Sequence, residues 1–94
     1  MRRHPNLDSN QPDIVKALRQ AGASVTSLAS VGGGVPDILV GIRDVTTVME
    51  IKDGEKPPSK RKLTEDEVKW HNEWRGSKHI VESVDQALAV LATL

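Results

Sequence analysis

Hydrophobic and polar positions change rhythm several times along this chain, and each change marks an element. Residues 11–21 follow a helical period, with Ile14, Val15, Leu18 and Ala21 on one stripe. Asn10 stands at the N-cap position, Pro12 fits the first turn and Gly22 stops the helix. Gln11 extends the stripe one turn towards the N-terminus, so a polar residue sits on the inward face. Residues 23–28 read as a strand. Gly32-Gly33-Gly34 follows as a connector. Next come two β-like runs. Asp37 opens Ile38-Leu39-Val40-Gly41-Ile42, and Glu50-Ile51-Lys52 closes the run that starts at Val45. Only Arg43-Asp44 lies between them, which predicts a hairpin.

Beyond the hairpin, residues 54–62 form a basic loop containing Pro57-Pro58. Thr64 and Glu67 have the spacing of a capping box and announce a helix to about residue 75, with Trp70 and Trp74 on one face as core or interface anchors. Gly76 ends it. Residues 78–81 make a short strand, and Ser83 with Gln86 opens a last helix whose stripe is Val84, Leu88, Leu91 and Leu94. The predicted order is α-β-β-β-α-β-α, an α/β sandwich with a mixed sheet, in one domain spanning residues 1–94. Residues 1–9 are polar, basic and expected to be loose.

The hairpin carries the chemistry. A two-residue tip makes Ile42 face Val45, and counting outward sets Asp37 opposite Glu50; a one-residue slip would flip the faces. Opposed side chains lie roughly 4.5–5.5 Å apart at Cβ, where like charges are destabilising. Two carboxylates held that way call for a cation. Lys52, two residues from Glu50, projects from the same face. Two acids and an ammonium on one sheet face predict a divalent-metal hydrolytic site. An acid-x-Lys triplet alone is weak, since Glu67-Val68-Lys69 is a second copy. That copy lies in a helical stretch, where its members splay apart. His71 has no partner nearby in sequence and reads as structural.

Composition narrows the alternatives. The chain has 94 residues and no cysteine, so disulfides and cysteine-ligated zinc are excluded, and a reducing compartment, the cytoplasm, is expected. A chain this short gains from a partner subunit or a metal. No apolar run approaches the ~18 residues of a membrane span, and no secretory h-region follows the first residues. Net charge is zero, which argues against a passive nucleic-acid coat, but the loop 54–62 holds four bases against one acid. Lys56, Lys60, Arg61 and Lys62, with Arg2 and Arg3, are the candidate phosphate contacts. There is no Phe or Tyr, so a base-stacking platform is not expected. The triple glycine lacks a following Gly-Lys-Ser/Thr and is no P-loop. Its expected role is to let a nucleic-acid backbone or a neighbouring chain come close.

Four segments together resemble the VRR-NUC branch of the PD-(D/E)XK nucleases, a group often found in phages and prophages. They are residues 10–19, Gly34-Val35-Pro36-Asp37-Ile38-Leu39-Val40, Met49-Glu50-Ile51-Lys52, and 63–67 followed by Trp70. The resemblance covers nearly the whole chain and implies a restriction-endonuclease-like core. It also implies that Asp37, Glu50 and Lys52 are catalytic, and that Asp37, Glu50 and the Ile51 backbone carbonyl hold Mg²⁺ or Mn²⁺. The first helix departs from the pattern, with Asn10 and Gln11 where related nucleases usually have a glutamate. Gln11 is then a further oxygen donor, and Asn10, Asp13 and Glu67 are accessory candidates; the family often has Gln at the Glu67 position. Implied partners are DNA, branched like a four-way junction, and a second copy in a homodimer; a phage or prophage source in a bacterial host is implied as well. Two other readings compete: a less selective restriction-like, nicking or flap nuclease, and a catalytically silent DNA-binding module.

Overall fold

The computed structural model describes residues 8–94. Arg2, Arg3 and most of the segment expected to be loose lie outside the described residues. At the edge of the described residues, the Ser9 hydroxyl donates to Asp53 (3.0 Å) and Lys56 pairs with Asp8 (3.5 Å). The elements run α1 (Gln11–Gln20), β1 (Ser24–Ser27), β2 (Ile38–Ile42), β3 (Val45–Ile51), a 3₁₀ turn (Pro58–Lys60), α2 (Glu65–Glu73), β4 (Lys78–Val81) and α3 (Val84–Thr93). This is the predicted order, with most ends trimmed by a residue or two.

The sheet order is β1-β2-β3-β4, antiparallel except for the parallel β3–β4 pair. Alternation sorts the strands into two faces. Val25, Ile38, Val40, Met49, Ile51 and Val81 share one face and close a core with Ile14 and Leu18 of α1 and Ala87 and Leu91 of α3. Glu50 projects from the opposite face, where α2 lies against it. Ala21, expected on the α1 stripe, is exposed because the helix has already ended. Trp70 and Trp74 do not enter the core. Their rings stack on each other at 4.8 Å, and Trp74 is 43% exposed.

Local chemistry explains how the ends are fixed. The β2–β3 tip is the expected two-residue turn, with Ile42 paired to Val45 and positive φ at Arg43 (50°) and Asp44 (65°). Asp44 tolerates that region, whereas Arg43 does not favour it. The Arg43 guanidinium offsets the cost by donating to the carbonyls of Leu91 (2.9 Å) and Leu94 (3.1 Å) at the end of α3. The α2 capping box is complete: Glu67 N–H donates to Thr64 Oγ1 (3.2 Å) and Thr64 N–H to Glu67 Oε1 (2.8 Å). At α3, Ser83 accepts from Gln86 N–H, but the Gln86 side chain accepts from Glu82 N–H, one residue before the cap.

Asn10 corrects one expectation. It occupies the N-cap position in a right-handed helical conformation and makes no side-chain cap. Its amide instead donates to the carbonyls of Lys52 and Glu82, both at 3.1 Å. The start of α1 is thereby fastened to the chain leaving β3 and β4. The triple glycine corrects another. Gly34 (φ +82°) lies so close to the first turn of α2 that a Cβ would collide with the Asp66 carbonyl. The close approach there is made by the chain's own helix.

Candidate active site

The β2–β3 ladder ends at Ile38↔Met49, in the register that sets Asp37 beside Glu50. One step beyond it, Asp37 N–H donates to the Met49 carbonyl (3.1 Å), and the Asp37 carboxylate accepts from Ile51 N–H at 2.6 Å. The side chain thus replaces a ladder bond, and this fixes the carboxylate against β3.

Glu50 is 2% exposed. Its carboxyl meets Lys52 Nζ at 3.9 Å through Oε2 and His71 Nε2 at 3.9 Å through Oε1. Lys52 Nζ is held more tightly by Glu67, at 2.8 Å. Glu67 Oε1 therefore serves both the capping box and the lysine. His71 lies four residues after Glu67 on the same helical face, with its ring edge-on to Trp70 at 5.4 Å. Asp37, Glu50 and Lys52 from the hairpin are thus gathered with Glu67 and His71 from α2. Contact with Gly34 sets the helix at that distance.

Burial dominates the electrostatics. It pushes the Glu50 pKa up to about 10, helped by hydrogen-bonding contact with Asp37 and the charges of Asp37 and Glu67, and opposed by Lys52. Glu50 is consequently protonated at neutral pH in the metal-free chain. Burial works to lower the Lys52 pKa, but the hydrogen bond and charge of Glu67 outweigh it, so the net shift is upward. Burial works to raise Glu67, and Lys52 together with the Thr64 N–H brings it below its ordinary value. His71 is lowered by burial and by the charges of Lys78 and Lys52, so its ring is neutral at pH 7.

Among the described residues, four buried side-chain polar atoms have no hydrogen-bond partner: Glu50 Oε1, His71 Nε2, Gln11 Oε1 and Asn10 Oδ1. Buried polar groups normally find partners, so orphans mark places where something else binds. Gln11, 5% exposed, is buried as its place on the stripe requires. Among the described residues no three His, Asp or Glu side chains converge into a ready metal cage. The donors nevertheless suit a hard cation in kind: two acids set side by side, one with a buried oxygen lacking any donor.

Other predicted residues are placed differently. Asp13 is exposed and lines a groove of about 430 Å³ with Asn10, Asp53, Gly54 and Glu82. In the basic loop, Arg61 is tied down by Glu82 (3.3 Å) and the Lys56 carbonyl (2.6 Å). Lys60 and Lys62 are exposed and have no ion-pair partner among the described residues. The sequence alone reads His71 as structural for want of a partner, and the structure sets it against Glu50 at 3.9 Å. Its one signal was the i,i+4 step from Glu67, since the partner, Glu50, comes from another element.

A mixed four-stranded sheet with flanking helices in the order α-β-β-β-α-β-α defines the class as α/β. The particular fold is that of a VRR_NUC domain. A solved structure described as "VRR_NUC domain" is similar with a TM-score of 0.65 and 21% sequence identity, over 90% of this chain and 97% of that one. No family model matches the chain, and no curated protein matches it. No helix among the described residues is long and apolar enough to cross a membrane.

Proposed function

We propose that the chain is a divalent-metal-dependent endonuclease that hydrolyses DNA phosphodiesters. The observation that carries this reading is the buried Glu50, set beside Asp37 and under Lys52, with a carboxyl oxygen that no protein donor satisfies. Asp37, Glu50, the Ile51 carbonyl and Gln11 are the residues that would hold Mg²⁺ or Mn²⁺. Once bound, such an ion supplies Lewis acidity towards a phosphate oxygen and lowers the pKa of a water.

The chain's own groups do the rest. Lys52, kept charged by Glu67, offsets charge growing on the phosphate oxygens or orients the attacking water. The Asp37 bond to Ile51 N–H fixes both acids relative to β3, so little reorganisation is needed when substrate arrives. Gln11 contributes an oxygen without charge. Lys60 and Lys62 are free to meet the DNA backbone, while Arg61 braces the loop that presents them. Branched DNA such as a four-way junction, cut by a homodimer, is the proposed substrate and assembly.

The test is cleavage of a labelled synthetic four-way junction beside a matched linear duplex, with Mg²⁺, Mn²⁺ or EDTA and with Lys52→Ala as control. Metal-dependent paired incision of the junction, abolished in the variant, supports the proposal. Cutting of both substrates replaces the junction with a less selective nuclease. Binding without cutting points to the silent DNA clamp, which the uncharged Gln11 favours, and refutes the enzyme.

A further inference from the structure

His71 is the buried group that this mechanism leaves idle. Its side chain is 9% exposed and its Nε2 has no partner. The atom it faces at 3.9 Å, Glu50 Oε1, is buried and unpartnered as well. One lies on α2 and the other on β3, so the pair spans the gap between helix and sheet. At 3.9 Å the two buried atoms are too far apart to hydrogen-bond to each other, and leaving both unsatisfied is costly unless something binds between them.

We infer that His71 Nε2 and Glu50 Oε1 together form a mixed nitrogen–oxygen cation site that selects a first-row transition metal over Mg²⁺. This rests on the proposed metal role of Asp37 and Glu50 and adds a nitrogen ligand from α2. Bonds of about 2.0–2.2 Å from imidazole nitrogen and carboxylate oxygen let one ion span at most about 4.4 Å between the two ligand atoms. The observed 3.9 Å falls inside that reach, and a tetrahedral ligand angle needs the two atoms closer by about 0.5 Å, a right-angled one by about 0.9 Å. Lys52 occupies the other Glu50 oxygen, at 3.9 Å, and its charge is matched by Glu67, so the Oε1 side is left to a cation. Imidazole suits the later transition metals, whereas Mg²⁺ demands oxygen ligands and retains its waters. A nitrogen in this position therefore biases the site away from Mg²⁺ and towards first-row transition ions, more strongly towards Co²⁺ than Mn²⁺.

The test uses protein without a histidine tag, so that no foreign imidazole contributes. Calorimetric titrations with Mg²⁺, Mn²⁺ and Co²⁺ compare the wild type with His71→Gln, His79→Gln and Asp37→Asn, and pulsed EPR of the Mn²⁺-loaded wild type looks for ¹⁴N coupling. The expected result is an affinity for Mn²⁺ at least tenfold above that for Mg²⁺, with nitrogen coupling that persists in His79→Gln. In His71→Gln the preference should collapse while weak Mg²⁺ binding survives. Absence of nitrogen coupling in the wild type, which needs no variant to fold, overturns the inference and leaves a Glu50–His71 hydrogen bond in its place. Nitrogen coupling and affinity unaltered by Asp37→Asn would uphold His71 but refute the paired-acid site. Failure of the wild type to bind any of the three ions refutes both.

Discussion

Replacing Glu50 with Gln should make the metal-free protein more stable, and increasingly so as pH rises from 5 to 7. The folded-state pKa of Glu50 is about 10, against 4.5 for the ordinary side chain. Between those values the unfolded chain releases a proton that the folded chain keeps, so stability falls as pH rises. The slope is at most about 1.4 kcal/mol per pH unit, hence on the order of 2–3 kcal/mol between pH 5 and 7. For a domain of this size that corresponds to a melting temperature lower by about 10–20 °C. Other groups bend the curve differently. His71, with its folded pKa lowered, adds a contribution of opposite sign below its ordinary value of 6.5. The lowered Glu67 pKa acts below 4.5, where its stabilisation is lost as pH falls, and the raised Lys52 pKa acts above 10.5, where its stabilisation is lost as pH rises. The Glu67 and Lys52 contributions lie outside the range from pH 5 to 8, and Glu50 is not among the causes of the His71 shift, so within that range the difference isolates Glu50. Thermal melts in EDTA, followed by circular dichroism at half-unit steps from pH 5 to 8, measure it. A gap between Glu50→Gln and wild type that stays constant or narrows with pH would refute the buried, protonated carboxyl.

Four further outcomes are expected. Lys52→Ala should lower cleavage by about 10²–10³-fold while leaving the circular dichroism spectrum intact; unchanged cleavage would remove the lysine from the mechanism. Asp37→Asn should weaken Mn²⁺ binding in titration without lowering the apoprotein's melting temperature, because the Asn oxygen can still accept from Ile51 N–H. Asp37→Ala, which deletes that acceptor, should cost about 1–3 kcal/mol by urea unfolding. Gly34→Ala should destabilise by at least about 1–3 kcal/mol, from its left-handed φ alone, with the clash against Asp66 added; melting within a degree of wild type would show that α2 is not seated on this glycine.

The sequence made the hairpin legible because strand alternation and a two-residue tip leave little freedom in register, so Asp37, Glu50 and Lys52 could be placed on one face before any coordinates. The capping box of α2 was equally readable, since its two residues bond to each other. What escaped notice was long-range. Glu67 looked fully occupied as a cap, yet one of its oxygens also holds Lys52 fifteen residues away in sequence. Asn10 carried the right residue type for an N-cap and spends its amide on the carbonyls of Lys52 and Glu82 instead. The Trp pair shows the limit of periodicity: spacing put the rings on one face of α2, but nothing in the chain said that they would stack on each other outside the core.

The parallel pairing of β3 with β4 has a consequence for synthesis. Asp37, Glu50, Lys52, Glu67 and His71 have all been added to a growing chain by residue 71, but the strand that flanks β3 comes later. Lys52 N–H donates to the Val81 carbonyl (3.0 Å), and the Arg43 tip waits for Leu91 and Leu94. A nascent chain stopped at residue 77 would contain every reactive side chain yet leave β3 as a bare edge, with Glu50 open to water on a strand lacking its neighbour. The strand that seats β3 and the helix end that holds the hairpin tip are therefore among the last parts of the chain to be made.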